Sequence, residues 1–290
     1  MLSQRNCPVC KNNNNVFFVK KNSHDIYRCT QCKLLFVWPL PGRARLTTIY
    51  SSEYFGGNYD FGYMDYDVDK TAMHGTFNVY LDIIEQHQKN RGALFDIGAA
   101  TGYFMEIAQK RGWKASGVEI SEYAAQVGLK KGLDIQVGTV ADIADAKERF
   151  DAITMWDVIE HMGNPESSLQ DVRRLLKTGG VVAINTPDAG SMVAKIFGKR
   201  WHALVPPEHL HYFNAQNLGQ LLERNNFEVL AVHKVAKKFT LPYVFKVLAH
   251  WQGLSLWNYL ASALKDTFIG AIAIPINLRD NFLIIARKKA

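Results

Sequence analysis

From residue 94 onward, short apolar runs alternate with segments in which apolar residues recur every three or four positions. LFDI (94–97), KASGVEI (114–120), a short run around DIQV (134–137), FDAITMW (150–156) and GVVAIN (180–185) read as strands. Between them lie helices with identifiable punctuation. Gly102 to Arg111 carries Phe104, Ile107 and Ala108 on one face and stops at Gly112, while Ser121 is a natural N-cap for a helix running to Gly132. Asn164 caps the next helix, with Pro165 at its first position and Gly179–Gly180 at its expected end. A helix capped by Asn214 and stopped by Asn226, a strand FEVLAVHKV and a closing strand NFLIIARKK complete the series. Alternation of this kind predicts an α/β fold, a parallel sheet covered by helices, with ligands at the carboxyl ends of its strands. Asp96, Glu119, Asp142 and Asp157 fall at or just beyond such ends.

Two stretches stand outside this rhythm. Residues 46–74 form an aromatic linker or lid whose segment YSSEYFGGNYDFGYMDYD holds five tyrosines and two phenylalanines. Such rings stack on sugars or bases, or simply dock one part of the chain on another. Residues 239–278 form a hydrophobic helical insertion between the last two strands. No run there reaches the roughly twenty apolar residues needed to span a bilayer. Contact with a membrane surface, a dimer face, a substrate lid and packing on the chain's own core all remain open for it.

With 290 residues, 48% of them hydrophobic, the chain can bury one full α/β core and carry small additions. Residues 75–238 with 279–290 are expected to form that core. The net charge of +7 is unevenly spread: eight Lys/Arg against one acid in residues 1–45, 17 against 24 in 46–229, and nine against two in 230–290. Both basic ends would attract anionic partners such as phosphate-bearing substrates, RNA or a membrane surface, or are solvated surfaces. The N-terminus has no apolar signal region, and the expectation is a cytoplasmic protein.

All four cysteines lie in the first 32 residues, as Cys7-x2-Cys10, eighteen residues, Cys29-x2-Cys32. That spacing matches two knuckles closing a tetrahedral thiolate site, so residues 1–45 are expected to form a small zinc ribbon holding structural Zn²⁺; redox pairs or ordinary buried thiols are the alternatives. A ribbon of this size folds with its metal.

The stretch LFDIGAATGYF (94–104) joins the first strand to its helix through a glycine loop. A dinucleotide fingerprint beginning at Gly98 would need glycines where Ala100 and Tyr103 stand, which makes a nicotinamide cofactor a poor fit. Asp96 beside the tight Gly98–Gly102 turn suits a ligand carrying an ammonium group instead. Asp96-x-Gly98-x-x-x-Gly102, the acid ending GVEIS and the segment FDAITMWDVIEHMGNP together resemble class I S-adenosylmethionine-dependent methyltransferases, over roughly residues 75–235 plus the last strand. The resemblance implies a doubly wound, Rossmann-like sheet of seven strands. It also implies S-adenosyl-L-methionine as cofactor, held by Asp96, Gly98, Ala100 and Gly102 at its methionine part, by Glu119 and Ile120 at the ribose, by Asp142 at adenine and with Trp156 near the methyl donor. Ala100 departs from the glycine often found there, and its methyl is expected to narrow the loop without abolishing binding.

PPEHLHYFN (206–214) is similar to a segment of the type 12 or type 23 subgroup, some of whose ribbon-bearing members are similar to sugar methyltransferases. A hydroxyl or carbon acceptor must lose a proton on methylation, and imidazole near neutral pH suits that task. His209 and His211 are therefore candidate bases, with Glu208 to orient the ring of His209; the alternative is that they tie the loop. Asp157, Glu160 and His161 are similar to a carboxylate and histidine set that some quinone O-methyltransferases use for a divalent metal. The leading expectation is a methyltransferase of a small molecule, first of all a saccharide or sugar nucleotide. An RNA base methyltransferase gripping RNA through its ribbon, and a quinone or lipid O-methyltransferase, are the alternatives.

Overall fold

The computed structural model describes residues 5–41, 73–143, 147–235, 237–265, 267–270, 272–276 and 278–290. The aromatic stretch 50–67 lies outside the described residues. A seven-stranded sheet is built from β4 (Ala93–Ile97), β5 (Lys114–Glu119), β6 (Asp134–Val137), β7 (Phe150–Trp156), β8 (Leu176–Pro187), β10 (Phe227–His233) and β13 (Asn281–Lys288). Its order is β10-β13-β8-β7-β4-β5-β6, and β13 runs antiparallel to both neighbours while the other pairings are parallel. The remaining strands are β1 (Asn15–Lys21), β2 (His24–Cys29), β3 (Leu35–Val37), β9 (His211–Tyr212), β11 (Lys237–Thr240) and β12 (Ala273–Ile276).

Side chains alternate across the sheet and feed two cores, as a sheet covered on both faces requires. On one face Phe95, Ile97, Phe150, Ile153, Met155 and Ile184 pack with α4 (Pro165–Leu175) and α6 (Ala215–Arg224). On the other, Leu94, Ala152, Ala183, Leu283 and Ile285 pack with α1 (His74–His87), α2 (Tyr103–Lys110) and α3 (Glu122–Lys130). The helix starts follow their sequence signals: Ser121, Asn164 and Asn214 each accept a backbone N–H of the first turn. One helix end does not. α4 stops at Leu175, and Leu176 already pairs with Phe150, so Gly179 and Gly180 lie inside β8 rather than closing the helix. Burial of Leu176 in the sheet outweighs the glycine stop signal.

The N-terminal strands do not form a detached module. β1, β2 and β3 are joined by β9 in a four-stranded antiparallel sheet, with Leu35 opposite Tyr212 and Phe36 opposite His211. Val9, Leu34 and Phe36 are fully buried in the same apolar cluster as the sheet and α6. Each such burial stabilises by about 1.5–3 kcal/mol, enough to fix the docking. Cys32 O accepts from Asn217 Nδ2, Pro206 O from Asn22 Nδ2, and Leu210 O from the Val37 amide, across the same joint.

β10 runs parallel to β8, so its end and the start of β13, where Asn281 pairs with Pro187, lie at the carboxyl edge of the sheet. From that edge the chain leaves through β11, α7 (Leu241–Gln252), α8 (Ser255–Leu264) and β12 before returning.

Candidate active site

The loop after β4 is shaped by backbone conformations that favour glycine. Gly98 (φ +75°) has the Val158 methyl 2.6 Å from where a Cβ would sit, and Gly102 (φ +82°) caps the start of α2. Both conformations are costly for residues with a Cβ. Asp96, 1% exposed, accepts from Thr154 Oγ1 at 2.6 Å, tying the loop's base to β7. Ala100 also has a left-handed backbone (φ +50°), a conformation costing an alanine roughly 1–2 kcal/mol. Its amide is partly offset by donation to Glu119 Oε2 at 2.8 Å.

Glu119 ends β5 and is 4% exposed; its Oε1 accepts from the Ser121 amide at 2.8 Å. Burial raises its pKa, and the amide bonds pull the other way. The carboxylate is thus oriented by backbone, and each oxygen keeps a lone pair for a further donor such as a ribose hydroxyl. Ile120 follows it on the surface, 39% exposed. Glu119 O accepts from Gly138 N, which brings the turn after β6 alongside. In that turn Asp142 is exposed and its Oδ2 accepts from the Thr139 amide at 2.8 Å and from Oγ1 at 2.7 Å.

Trp156 ends β7 within an aromatic cluster. It stacks on Tyr80 (4.7 Å between centroids, 23°) and meets Phe104 edge-on at 4.9 Å. The indole N–H and the Tyr80 hydroxyl are buried and have no hydrogen-bond partner among the described residues, so both are available to polar groups of a ligand. Tyr80 escaped the sequence reading because its α1 position fits an ordinary buried stripe.

The turn after β7 joins this half to the acceptor half. Val158 lies against Gly98, while His161, three residues on, donates from Nδ1 to Glu208 O at 2.7 Å. His209 Nδ1 bonds Ala203 O at 2.9 Å, and the two imidazole rings meet edge-on, 4.8 Å between centroids. A carbonyl partner at Nδ1 assigns that nitrogen the proton and leaves Nε2 as an acceptor in both rings. Burial holds His161 below the ordinary imidazole range, with the Glu208 carbonyl and Asp157 opposing, so the ring is neutral near pH 7. Donor atoms of Glu160, His161 and His209 lie within 4.8 Å of one another, a convergence to which Asp157 does not belong.

Two of the candidate residues stand apart from this pair. Ala203 O holds the His209 ring, and Glu208 is buried, its pKa raised by burial, with Oε2 lacking a hydrogen-bond partner among the described residues. His211 is fully buried in β9 opposite Phe36, with neither ring nitrogen in hydrogen-bond geometry, and burial brings its pKa down to about 4. It belongs to the joint between ribbon and core rather than to the open side of the site.

In the ribbon, Cys7 Sγ lies 3.5 Å from Cys32 Sγ and Cys10 Sγ 3.4 Å from Cys29 Sγ. All four sulfurs fall within 4.8 Å of one another. The Cys7 thiol is pushed up by the Cys32 contact and by burial, the Cys10 thiol chiefly by burial. Four crowded sulfurs of this kind fit a single tetrahedral cation.

The sheet order, the glycine loop and the buried acid at the end of β5 define a class I S-adenosylmethionine-dependent methyltransferase. A family model described as "Methyltransferase domain" matches residues 74–232, more than half of the chain, and the chain belongs to that family. A protein of Alkalilimnicola ehrlichii named "Ubiquinone biosynthesis O-methyltransferase" is 31% identical over 127 residues, 41% of this chain and 51% of the relative. A protein of Chromobacterium violaceum with the same name is 29% identical over 171 residues, 54% of this chain and 74% of the relative. The chain thus spans about half the length of the first of these relatives. Among solved structures, Haemonchus contortus phosphoethanolamine N-methyltransferase 2, in complex with S-adenosyl-L-methionine, shares the fold with a TM-score of 0.56 at 15% identity, covering 88% of this chain and 62% of that one. Among the described residues, no helix is long and apolar enough to cross a membrane.

Proposed function

We propose that the chain methylates a hydroxyl of a small molecule, with His209 as the base that receives the hydroxyl proton. The observation that carries this reading is the pair of imidazoles, His209 and His161, each tethered at Nδ1 by a backbone carbonyl and converging with Glu160 beside the donor loop. S-adenosylmethionine, when bound, supplies an electrophilic methyl group. Asp96 and the Gly98–Gly102 loop would hold its methionine part, Glu119 the ribose hydroxyls with Ile120 beside them, and Asp142 the adenine side; Trp156 and Tyr80 wall the donor end. As the acceptor oxygen attacks, its proton passes to His209 Nε2, and Tyr212, which donates to His209 O at 3.0 Å, keeps the base in place.

A phenolic hydroxyl of quinol type is the acceptor class we favour. The names of the relatives support it, and a phenol loses its proton to imidazole more readily than an alcohol does. A saccharide hydroxyl is the second reading, supported by the ribbon strand seated directly on the PPEHLHYF segment. Transfer of labelled methyl groups to three pools, catechol-type quinols, sugar nucleotides and bulk RNA, tests these readings. Label in the quinol pool is expected; label only in sugar nucleotides selects the second, and label only in RNA overturns both. We assign the four thiolates one structural zinc: elemental analysis should find one zinc per chain, and full metal content in Cys29→Ser would refute the assignment.

A further inference from the structure

The excursion between β10 and β13 ends in an apolar surface that is exposed among the described residues. In α8 only Ala261 is buried, whereas Leu254 is 52%, Leu256 57% and Tyr259 71% exposed. Just beyond it Phe268 is 88% and Ile269 54% exposed. Within the hairpin, Phe245 stacks on Trp257 at 5.5 Å and Phe239 on Tyr243 at 5.0 Å, which ties α7 to α8 and β11 to α7 without the exposed side chains.

Charge selects the occupant of this face. From Val247 to Leu264 there is no Asp, Glu, Lys or Arg, and in the sequence flanking that run Lys237, Lys238, Lys246, Lys265 and Arg279 stand against two acids, Asp266 and Asp280. An uncharged apolar run with tyrosine and tryptophan between flanks of net positive charge matches the boundary between acyl chains and anionic headgroups. The helices have 12 and 10 residues, so at about 1.5 Å per residue neither reaches the roughly 30 Å of a bilayer core. They suit lying in the interface.

We propose that α7, α8 and the turn at 267–270 dock the enzyme on a membrane surface rich in anionic lipid. The hairpin leaves the sheet at the same carboxyl edge as the donor loop and the paired histidines, so docking turns the acceptor side of the enzyme towards the lipid. This inference stands on the hairpin alone and does not depend on which acceptor is used.

The test is sedimentation of the full chain with vesicles of phosphatidylcholine alone and of phosphatidylcholine with about one third phosphatidylglycerol. The protein should partition at least tenfold more strongly onto the anionic vesicles, and a rise in salt should weaken it. The double variant Leu256→Glu/Phe268→Glu, altered only at exposed positions, should lose at least tenfold of that binding while its S-adenosylhomocysteine affinity by calorimetry is unchanged. Three outcomes overturn the proposal: no partition onto anionic vesicles, equal partition of both vesicle types, or full binding by the double variant. A dimer in analytical ultracentrifugation that the double variant dissociates would assign the face to a second copy and overturn it equally.

Discussion

The donor half and the acceptor half of the site meet at one turn but are constructed in opposite ways. Asp96, Gly98, Ala100 and Glu119 lie on consecutive strand ends, and each is positioned by a contact with its own loop or a neighbouring strand. His209 is held by Ala203, His161 reaches it from the turn after β7, and the segment carrying it is clamped by strands that precede that segment by more than half the chain. A cofactor common to many enzymes needs only a fixed local loop. An acceptor site has to be assembled from distant parts, and here a docked ribbon takes over the task that a local loop performs on the donor side.

If this division is sound, damage to one half should leave the other intact. The largest effect is expected for His209→Ala: kcat should fall by about 10² to 10⁴ with the true acceptor, with S-adenosylhomocysteine affinity within twofold of the parent. A variant that keeps more than half of the parent kcat would return the proton to another group. Glu119→Ala is the converse. Loss of charge-assisted bonds worth about 1.5–3 kcal/mol each should weaken S-adenosylhomocysteine binding at least tenfold in calorimetry. Unchanged affinity would remove Glu119 from the donor half.

The smallest effect concerns the joint. His211 has a native pKa of about 4 against the ordinary 6.5, so the unfolded chain takes up its proton first as pH falls. The stability tied to the neutral ring is complete above about pH 6.5 and is lost as pH drops towards 4; between pH 7.5 and 5 this amounts to about 2 kcal/mol. Denaturant titrations at the two pH values should therefore differ by less in His211→Phe than in the parent. An identical acid loss in the variant would show that the ring does not report on the joint.

The same division explains what the sequence disclosed. The succession of strands and helices along the chain, the caps at Ser121, Asn164 and Asn214 and the loop around Gly98 were legible, because each is governed by residues a few positions apart. Ala100 shows the limit: the sequence announces a methyl in the loop, and only the structure shows it in a left-handed conformation with its amide given to Glu119. The settings of His209 and His211 were not legible, because both depend on partners that sequence adjacency does not reveal, Ala203 O in one case and β3 in the other. Nothing in the pattern of residues 35–37 marks them as partners of residues 211–212. Tyr80, against Trp156, was hidden in the same way by a helical stripe that also serves plain packing.

The pairing of β3 with β9 also fixes an order of events during synthesis. The paired residues Leu35 and Tyr212 lie 177 positions apart (212 − 35), so at roughly 5–20 residues per second the N-terminal strands wait about 10 to 40 s for their partner to leave the ribosome. Throughout that interval the edge of β3, with Leu35 and Phe36, stays open to any other strand in reach. On the proposed assignment of zinc to the four cysteines, early metal capture would keep the nascent ribbon closed on itself while its edge is bare.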